Sequence, residues 1–248
     1  MHHAYDLERA MAWLRRREDE GSLRPAPAGV GSLIALDAAD YQASLRWATL
    51  ALGEPVPPVE AQVARASLAL AERNTVLALA LLQAAQARHG DDGRVWSAVG
   101  FAELLDQNLP AARTAFERAV VLLPGHIGTW HGLGWTALAQ RDLPGARRAF
   151  DTALALDRNF AESHGGGAVV RALAGDDDGA RSAIATALRL DRKCLSARYA
   201  EALLAGDARD TESLMRLADR LLSGKRAPLG SDMMDLLRNS RPKANNPP

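Results

Sequence analysis

A step of 34 residues governs this chain. Trp96 and Trp130 are one step apart, as are Ala112 and Ala146, Phe116 and Phe150, and Ala119 and Ala153. The series runs back to Ala78, Leu82 and Ala85 and forward to Ala180, Ile184 and Ala187. A second column holds small residues at Ala66, Gly100, Gly134, Ala168 and Ala202. A third holds Asp6, Asp40, Asn74, Asn108, Asp142, Asp176 and Asp210. Self-similarity at such a period excludes an ordinary globular topology and points to stacked repeats.

Each column has a physical reading. Asp or Asn suits a helix N-cap, where its oxygen accepts from an orphan amide. Pro110 and Pro144 follow two residues after their caps, in a first turn where a missing amide costs nothing. The capped helix then carries small, large and small residues at spacings of four and three, which share one face. The small column of the preceding helix lets its partner approach closely. Every unit is therefore an antiparallel helix pair that buries its faces only by stacking on neighbours.

Trp96, Gly100, Ala112, Phe116, Ala119 and Pro124 resemble the tetratricopeptide repeat (TPR) family, and Trp130, Leu133, Gly134, Ala146, Phe150 and Ala153 repeat the match. The next unit puts His164 in the place of Trp, and an earlier, divergent unit puts Gln62 there. In the last, Leu214, Ala218 and Leu221 invert the small–large–small order, as suits an end repeat. The resemblance implies an all-α, right-handed superhelical solenoid of antiparallel helix pairs.

The expected organisation has four parts. Residues 1–58 form an N-terminal capping helix and a degenerate repeat. Within it, a helix over 6–20 turns Ala10, Met11, Trp13 and Leu14 inward. Pro25, Pro27, Gly29 and Gly31 then break the chain and leave a short helix from about Ser32 to Ala39. Residues 59–228 form five repeats, 229–238 a capping helix, and 239–248 (NSRPKANNPP) a disordered tail.

Composition narrows the function. Thirty Lys+Arg balance thirty Asp+Glu, which argues against nucleic acid as a partner because counterion release needs a basic surface. No apolar run reaches the roughly 20 residues of a membrane span. The charged first fifteen residues do not read as a secretory signal, so the expected compartment is cytoplasmic. A single cysteine, Cys194, excludes an intrachain disulfide or Cys-rich zinc site and reads as a small buried hydrophobe. The scarcity of Lys against Arg reads as the bias of a bacterial genome.

Residues with chemical potential have structural readings. Gly165, Gly166 and Gly167 interrupt a helix, at a cost of roughly 3 kcal/mol in propensity. Close approach of a neighbouring helix, or of a ligand, would explain them. Asp176, Asp177 and Asp178 fit a helix start rather than a metal site. The six histidines lack zinc spacing, and no nucleophile–base arrangement stands out. No cofactor or metal is expected, and no catalysis. Trp96 and Trp130 read as packing residues.

The resemblance implies that the first helix of each pair lines a concave groove. Carried over repeat by repeat, the lining is Arg94, Ser97, Phe101 and Leu104, then His131, Trp135 and Leu138, then Glu162, Val169 and Tyr199. Gly165 and Leu203 flank the last group, and Glu60, Val63, Ser67 and Leu70 precede the first. Such a groove is apolar and aromatic. It lacks the Lys and Asn of the family's carboxylate clamps, with Ser97 and Phe101 at clamp positions. It therefore suits an extended or helical apolar segment of another protein. The expected role is a non-catalytic scaffold, adaptor or chaperone, by analogy with protein-secretion chaperones. The alternative is an obligate subunit of a secretion or cell-envelope assembly. Coverage of the groove by the chain's own termini, or by a second copy in a homodimer, is the competing fate of Phe101 and Trp135.

Overall fold

The computed structural model describes residues 2–207, together with Leu222, 229–231 and Asp235. All regular structure among them is helical. The chain forms two compact units. The first holds α1 (His2–Asp19), α2 (Pro25–Asp37), α3 (Tyr41–Leu52), α4 (Val59–Ala71), α5 (Thr75–Arg88) and α6 (Gly93–Leu105). The second holds α7 (Leu109–Leu122), α8 (Ile127–Ala139), α9 (Leu143–Leu156), α10 (Ala161–Leu173), α11 (Asp177–Leu190) and α12 (Leu195–Ala205).

The cap column works as its chemistry requires. Asp40 accepts from the Ala43 amide, Asn74 from Leu77, Asp142 from Gly145 and Asp176 from Gly179, all at 2.8–3.1 Å. Asn108 stands at the same cap position before α7. Asp6 departs from the column, because α1 already begins at His2 and runs through it. One residue ahead of each of these caps the backbone turns left-handed, at Ala39, Arg73, Gln107, Arg141 and Gly175, with φ between 56° and 78°. The cap amides of Asp40, Asn74, Asp142 and Asp176 donate back five residues into the preceding helix, so these turns are Schellman motifs.

Packing follows the small–large–small pattern. Ala78, Leu82 and Ala85 are wholly buried, as are Ala112, Phe116 and Ala119, and Ala146, Phe150 and Ala153. Glycine makes room for the rings. A Cβ on Gly132 would stand 2.3 Å from the Phe116 ring, and one on Gly134 2.8 Å from Phe150. Full burial of each ring supplies roughly 1.5–3 kcal/mol.

The N-terminal region differs from expectation. Rather than a short helix from Ser32, α2 spans thirteen residues from Pro25. Its prolines fall in the first turn, where amides have no helical partner. Gly29 and Gly31 pack rather than break. A Cβ on Gly29 would meet Pro58 at 2.7 Å, and one on Gly31 would meet Leu14 at 2.8 Å and Trp47 at 3.2 Å. The pair α2–α3 thus continues the period, with buried Ser32 extending the small column and Trp47 filling the core beside Met11 and Leu14. Trp13 is not inward: it is 49% exposed, with the Arg17 guanidinium 5.4 Å from its ring centroid.

Leu229 and Gly230 form a turn rather than the start of a helix; the Leu229 amide donates to Glu72 at 2.9 Å, and the Ser231 hydroxyl bonds the same carboxylate. Asp235, within the expected 229–238 helix, is helical; Asp210, Leu214, Ala218, Leu221, residues 232–234 and 236–238, and the 239–248 tail lie outside the described residues.

Candidate functional site

The expected groove residues fall in both units. In the first unit, Arg94 opens α6 and is held by ion pairs to Asp92 at 2.6 Å and to Glu60, one repeat back, at 3.3 Å. Its charge is therefore spent within the fold. Ser97 is buried at 5% exposure, while Phe101 and Leu104 are half-buried. On the preceding α4, Val63 and Leu70 are buried as well, so among the expected lining residues of this unit Phe101 and Leu104 carry the partly open apolar surface.

In the second unit, His131, Trp135 and Leu138 of α8 are half-buried, as are Glu162 of α10 and Tyr199 and Leu203 of α12. Val169 is wholly buried, so it supports the floor and lines nothing. Trp135, Leu138, Tyr199 and Leu203 all pack on the core that contains Val169 and Ala168. Burial raises the Tyr199 phenol above its ordinary range. Trp135 stands edge-on to Phe150, with ring centroids 5.7 Å apart.

His131 sits beside Trp135 at a crossing of three elements. Its Nε2 shares a hydrogen bond of 2.7 Å with the Ser163 hydroxyl of α10, and Ser163 is wholly buried. Its ring lies edge-on to Phe150 of α9 at 5.5 Å and to Phe160 at 5.4 Å. Burial pushes its pKa below the ordinary value of 6.5, and the neighbouring Glu162 works in the opposite direction.

Glu162 has a role that its place in the groove did not suggest. Its carboxylate accepts from the Leu195 amide at 2.8 Å, the Ser196 amide at 3.2 Å and the Ser196 hydroxyl. The Cys194 side chain makes no cap bond, so α10 supplies from one repeat back the cap that α12 lacks. Cys194 itself is buried, and desolvation raises its thiol pKa to about 11.

Two glycines of the run are explained by neighbouring helices. A Cβ on Gly165 would meet Ser196 at 2.7 Å and the Ala197 nitrogen at 2.8 Å, and one on Gly166 would meet the Phe150 ring at 2.4 Å. Among the described residues no group of three or more His, Cys, Asp or Glu could hold a metal ion, and no helix is long and apolar enough to cross a membrane.

Another column shows a common function behind different residues. Trp96 Nε1 donates to the Gly90 carbonyl and Trp130 Nε1 to the Pro124 carbonyl, both at 2.8 Å. One and two steps later, His164 bonds the Arg158 carbonyl at 2.8 Å and Arg198 donates to the Arg192 carbonyl at 3.2 Å. Each side chain ties a helix to the turn six residues before it. The signal available in the sequence was that Trp, His and Arg all carry an N–H at a similar reach.

By sequence, the chain matches no family model and no curated protein. By structure it is similar to PilF of Pseudomonas aeruginosa, at 18% identity and a TM-score of 0.62, over 81% of this chain and 92% of that one. It is also similar to a thermophilic TPR protein of Thermus thermophilus, at 19% identity and a TM-score of 0.56, over 74% and 97% of the two chains. A third is YrrB, a TPR protein with an unusual peptide-binding site, at 18% identity and a TM-score of 0.50, over 75% and 93%. The fold is that of the tetratricopeptide repeat. In these terms α4, α6, α8, α10 and α12 are first helices of repeats.

Proposed function

We propose that this TPR chain is a non-catalytic scaffold, adaptor or chaperone that holds an apolar segment of another protein. The observation that carries the reading is the second unit's lining face. Trp135 and Leu138 on α8 and Tyr199 and Leu203 on α12 keep part of their surface open above a floor that includes the buried Val169 of α10. Two walls of aromatic and aliphatic side chains over a low floor suit the side chains of an extended or helical segment. Arg94 and Glu162 are both committed within the fold, so recognition rests on apolar contact rather than on charge. The peptide-binding site of YrrB supports the same use of the fold.

Co-purification from native lysate tests this, comparing the wild type with a Phe101→Ala/Trp135→Ala double variant whose helicity is confirmed by circular dichroism. A protein retained by the wild type and lost from the folded variant is the expected result. Equal retention by both would place binding elsewhere on the chain.

A second reading, an obligate subunit of a secretion or cell-envelope assembly, draws on a different surface. Leu122, Leu156 and Leu190 stand one repeat apart at the ends of α7, α9 and α11 and are 39–43% exposed. Sedimentation of the purified chain separates the two. A soluble monomer favours the adaptor, and self-association that polar substitutions at these leucines abolish favours the subunit.

A further inference from the structure

We propose that the turn between α4 and α5 is a docking surface for the chain's own C-terminal segment, which a clasp between Glu72 and residues 229–231 fastens there. The Leu229 amide donates to Oε1 of Glu72 at 2.9 Å, and the Ser231 hydroxyl donates to Oε2. These bonds join residues 157 and 159 apart in the sequence. One carboxylate thus accepts from backbone and side chain of the same turn, and bonds to an ionised acceptor are the strong kind. Gly230 makes the grip possible. Its φ of 105° is a conformation that suits glycine, and it lies between the two donors that share the carboxylate.

The docking surface supplies an independent observation. Five turns occupy equivalent places in the period, at residues 37–39, 71–73, 105–107, 139–141 and 173–175. Residues 37–39 and 173–175 are exposed throughout, and the turns at 105–107 and 139–141 each expose two residues of three. Ala71, Glu72 and Arg73 are all half-buried. Backbone shape does not separate them, because Ala39, Arg73, Gln107, Arg141 and Gly175 share the left-handed conformation. The turn after α4 is covered where its counterparts are open, and the bonds from Leu229 and Ser231 identify the cover.

Glu72 is also the C-cap residue of α4, where the carbonyl ends of a helix disfavour negative charge. The two donors offset that repulsion, so the clasp serves α4 as well as the segment it holds. The chain passes from the first unit to the second after Leu105 and returns after Lys225, and the clasp fastens the returning end. It is open to control by charge. A negative group at residue 231 would stand against the Glu72 carboxylate and release the segment. The clasp lies within the first unit and draws nothing from the apolar face of the second, so it stands apart from the proposed partner binding.

The test is amide hydrogen exchange of the full chain at neutral pH, read at Leu229. The Leu77 amide, capped by Asn74, reports whether α5 is intact. Leu229 should exchange about tenfold or more slowly than an open amide, as a bond to a charged acceptor supplies, and at every protein concentration. Glu72→Ala, Gly230→Ala and Ser231→Asp should each remove this protection and leave Leu77 as it is. Ser231→Ala keeps the Leu229 bond and should remove only part of it. Gly230 and Ser231 lie outside every described helix, so their variants decide the matter even where Glu72→Ala disturbs α4. An unprotected Leu229 in the wild type would overturn the proposal, as would protection that survives in all three variants. Protection that disappears on dilution would assign the turn to a second copy and overturn the intramolecular clasp.

Discussion

The two units follow one period and present different faces. In the first, Val63, Leu70 and Ser97 are buried, and the hole between α4 and α5 is filled by aliphatic Leu82. In the second, two of the three fillers are the phenyl rings of Phe116 and Phe150, seated against Gly132, Gly134 and Gly166, and the third is aliphatic Ile184. The same ring that fills the core also presents an edge to His131 and Trp135 on the lining face. The period therefore sets where helices go, while the choice between Leu and Phe at one column decides whether core and lining face are coupled.

Truncating the filler is the strongest way to break this contrast. Phe150→Ala should cost about 3–5 kcal/mol and Leu82→Ala about 2–5 kcal/mol, as a cavity replaces a fully buried side chain. The sharper difference lies in what else changes. Phe150→Ala should alter Trp135 fluorescence and move the His131 titration midpoint, and Leu82→Ala should leave both where they are. If the two variants behave alike in these readouts, the units do not differ in coupling. The converse probe is Gly166→Ala, whose methyl would sit 2.4 Å from the Phe150 ring. Overpacking costs about 1–3 kcal/mol, which outweighs the roughly 1 kcal/mol that alanine gains in helix propensity, so urea denaturation should show a lower midpoint.

A smaller effect tests the tie between α10 and α12. Glu162→Ala removes a cap supplied from one repeat away and should cost about 1 kcal/mol, as loss of an N-cap does. Hydrogen exchange at Leu195 and Ser196 should rise in this variant while the amides capped by Asp142 and Asp176 keep their protection. Unchanged protection at Ser196 would mean that Glu162 is not the cap. The first unit's counterpart, Glu60 with Arg94, is an ion pair between side chains and should matter less, since a partly exposed pair contributes about 0–1 kcal/mol.

Much of this was legible because repetition makes weak signals add. Asp40, Asn74, Asp142 and Asp176 were readable as caps from chemistry and spacing alone, and the buried Phe116 and Phe150 from their flanking alanines. The pair α2–α3 is hard to read because Pro25 and Pro27 look like breakers until their position in a first turn is known. Gly29 and Gly31 likewise signal flexibility until Pro58 and Leu14 are seen against them. The site was harder still. Val169 fell on a lining position, but only packing reveals that it is covered. Glu162 looked like an exposed groove charge, and its real partners are backbone amides that carry no mark in the sequence. Trp13 kept the period of Trp47 yet lies at 49% exposure, because α1 buries Met11 and Leu14 instead.

The left-handed turn residues offer the finest comparison, because there the two units should not differ. Arg73 in the first unit and Arg141 in the second adopt φ of 58° and 62°, and Gly175 occupies the equivalent turn with φ of 78°. Only glycine takes this conformation without a penalty from its Cβ, which amounts to roughly 1–2 kcal/mol for other residues. Nothing in the type of residue at 73 or 141 announced the turn, since arginine carries no preference for it. Substituting glycine removes the strain but gives the unfolded chain more freedom to lose, which offsets about 0.4–1 kcal/mol of the gain. Arg73→Gly and Arg141→Gly should therefore each raise stability by about 0.5–1 kcal/mol, by equal amounts, and Gly175→Ala should lower it by about 1 kcal/mol. Thermal denaturation of the three variants reads all of these. A gain in one unit and a loss in the other would show that the turns, like the faces, have diverged.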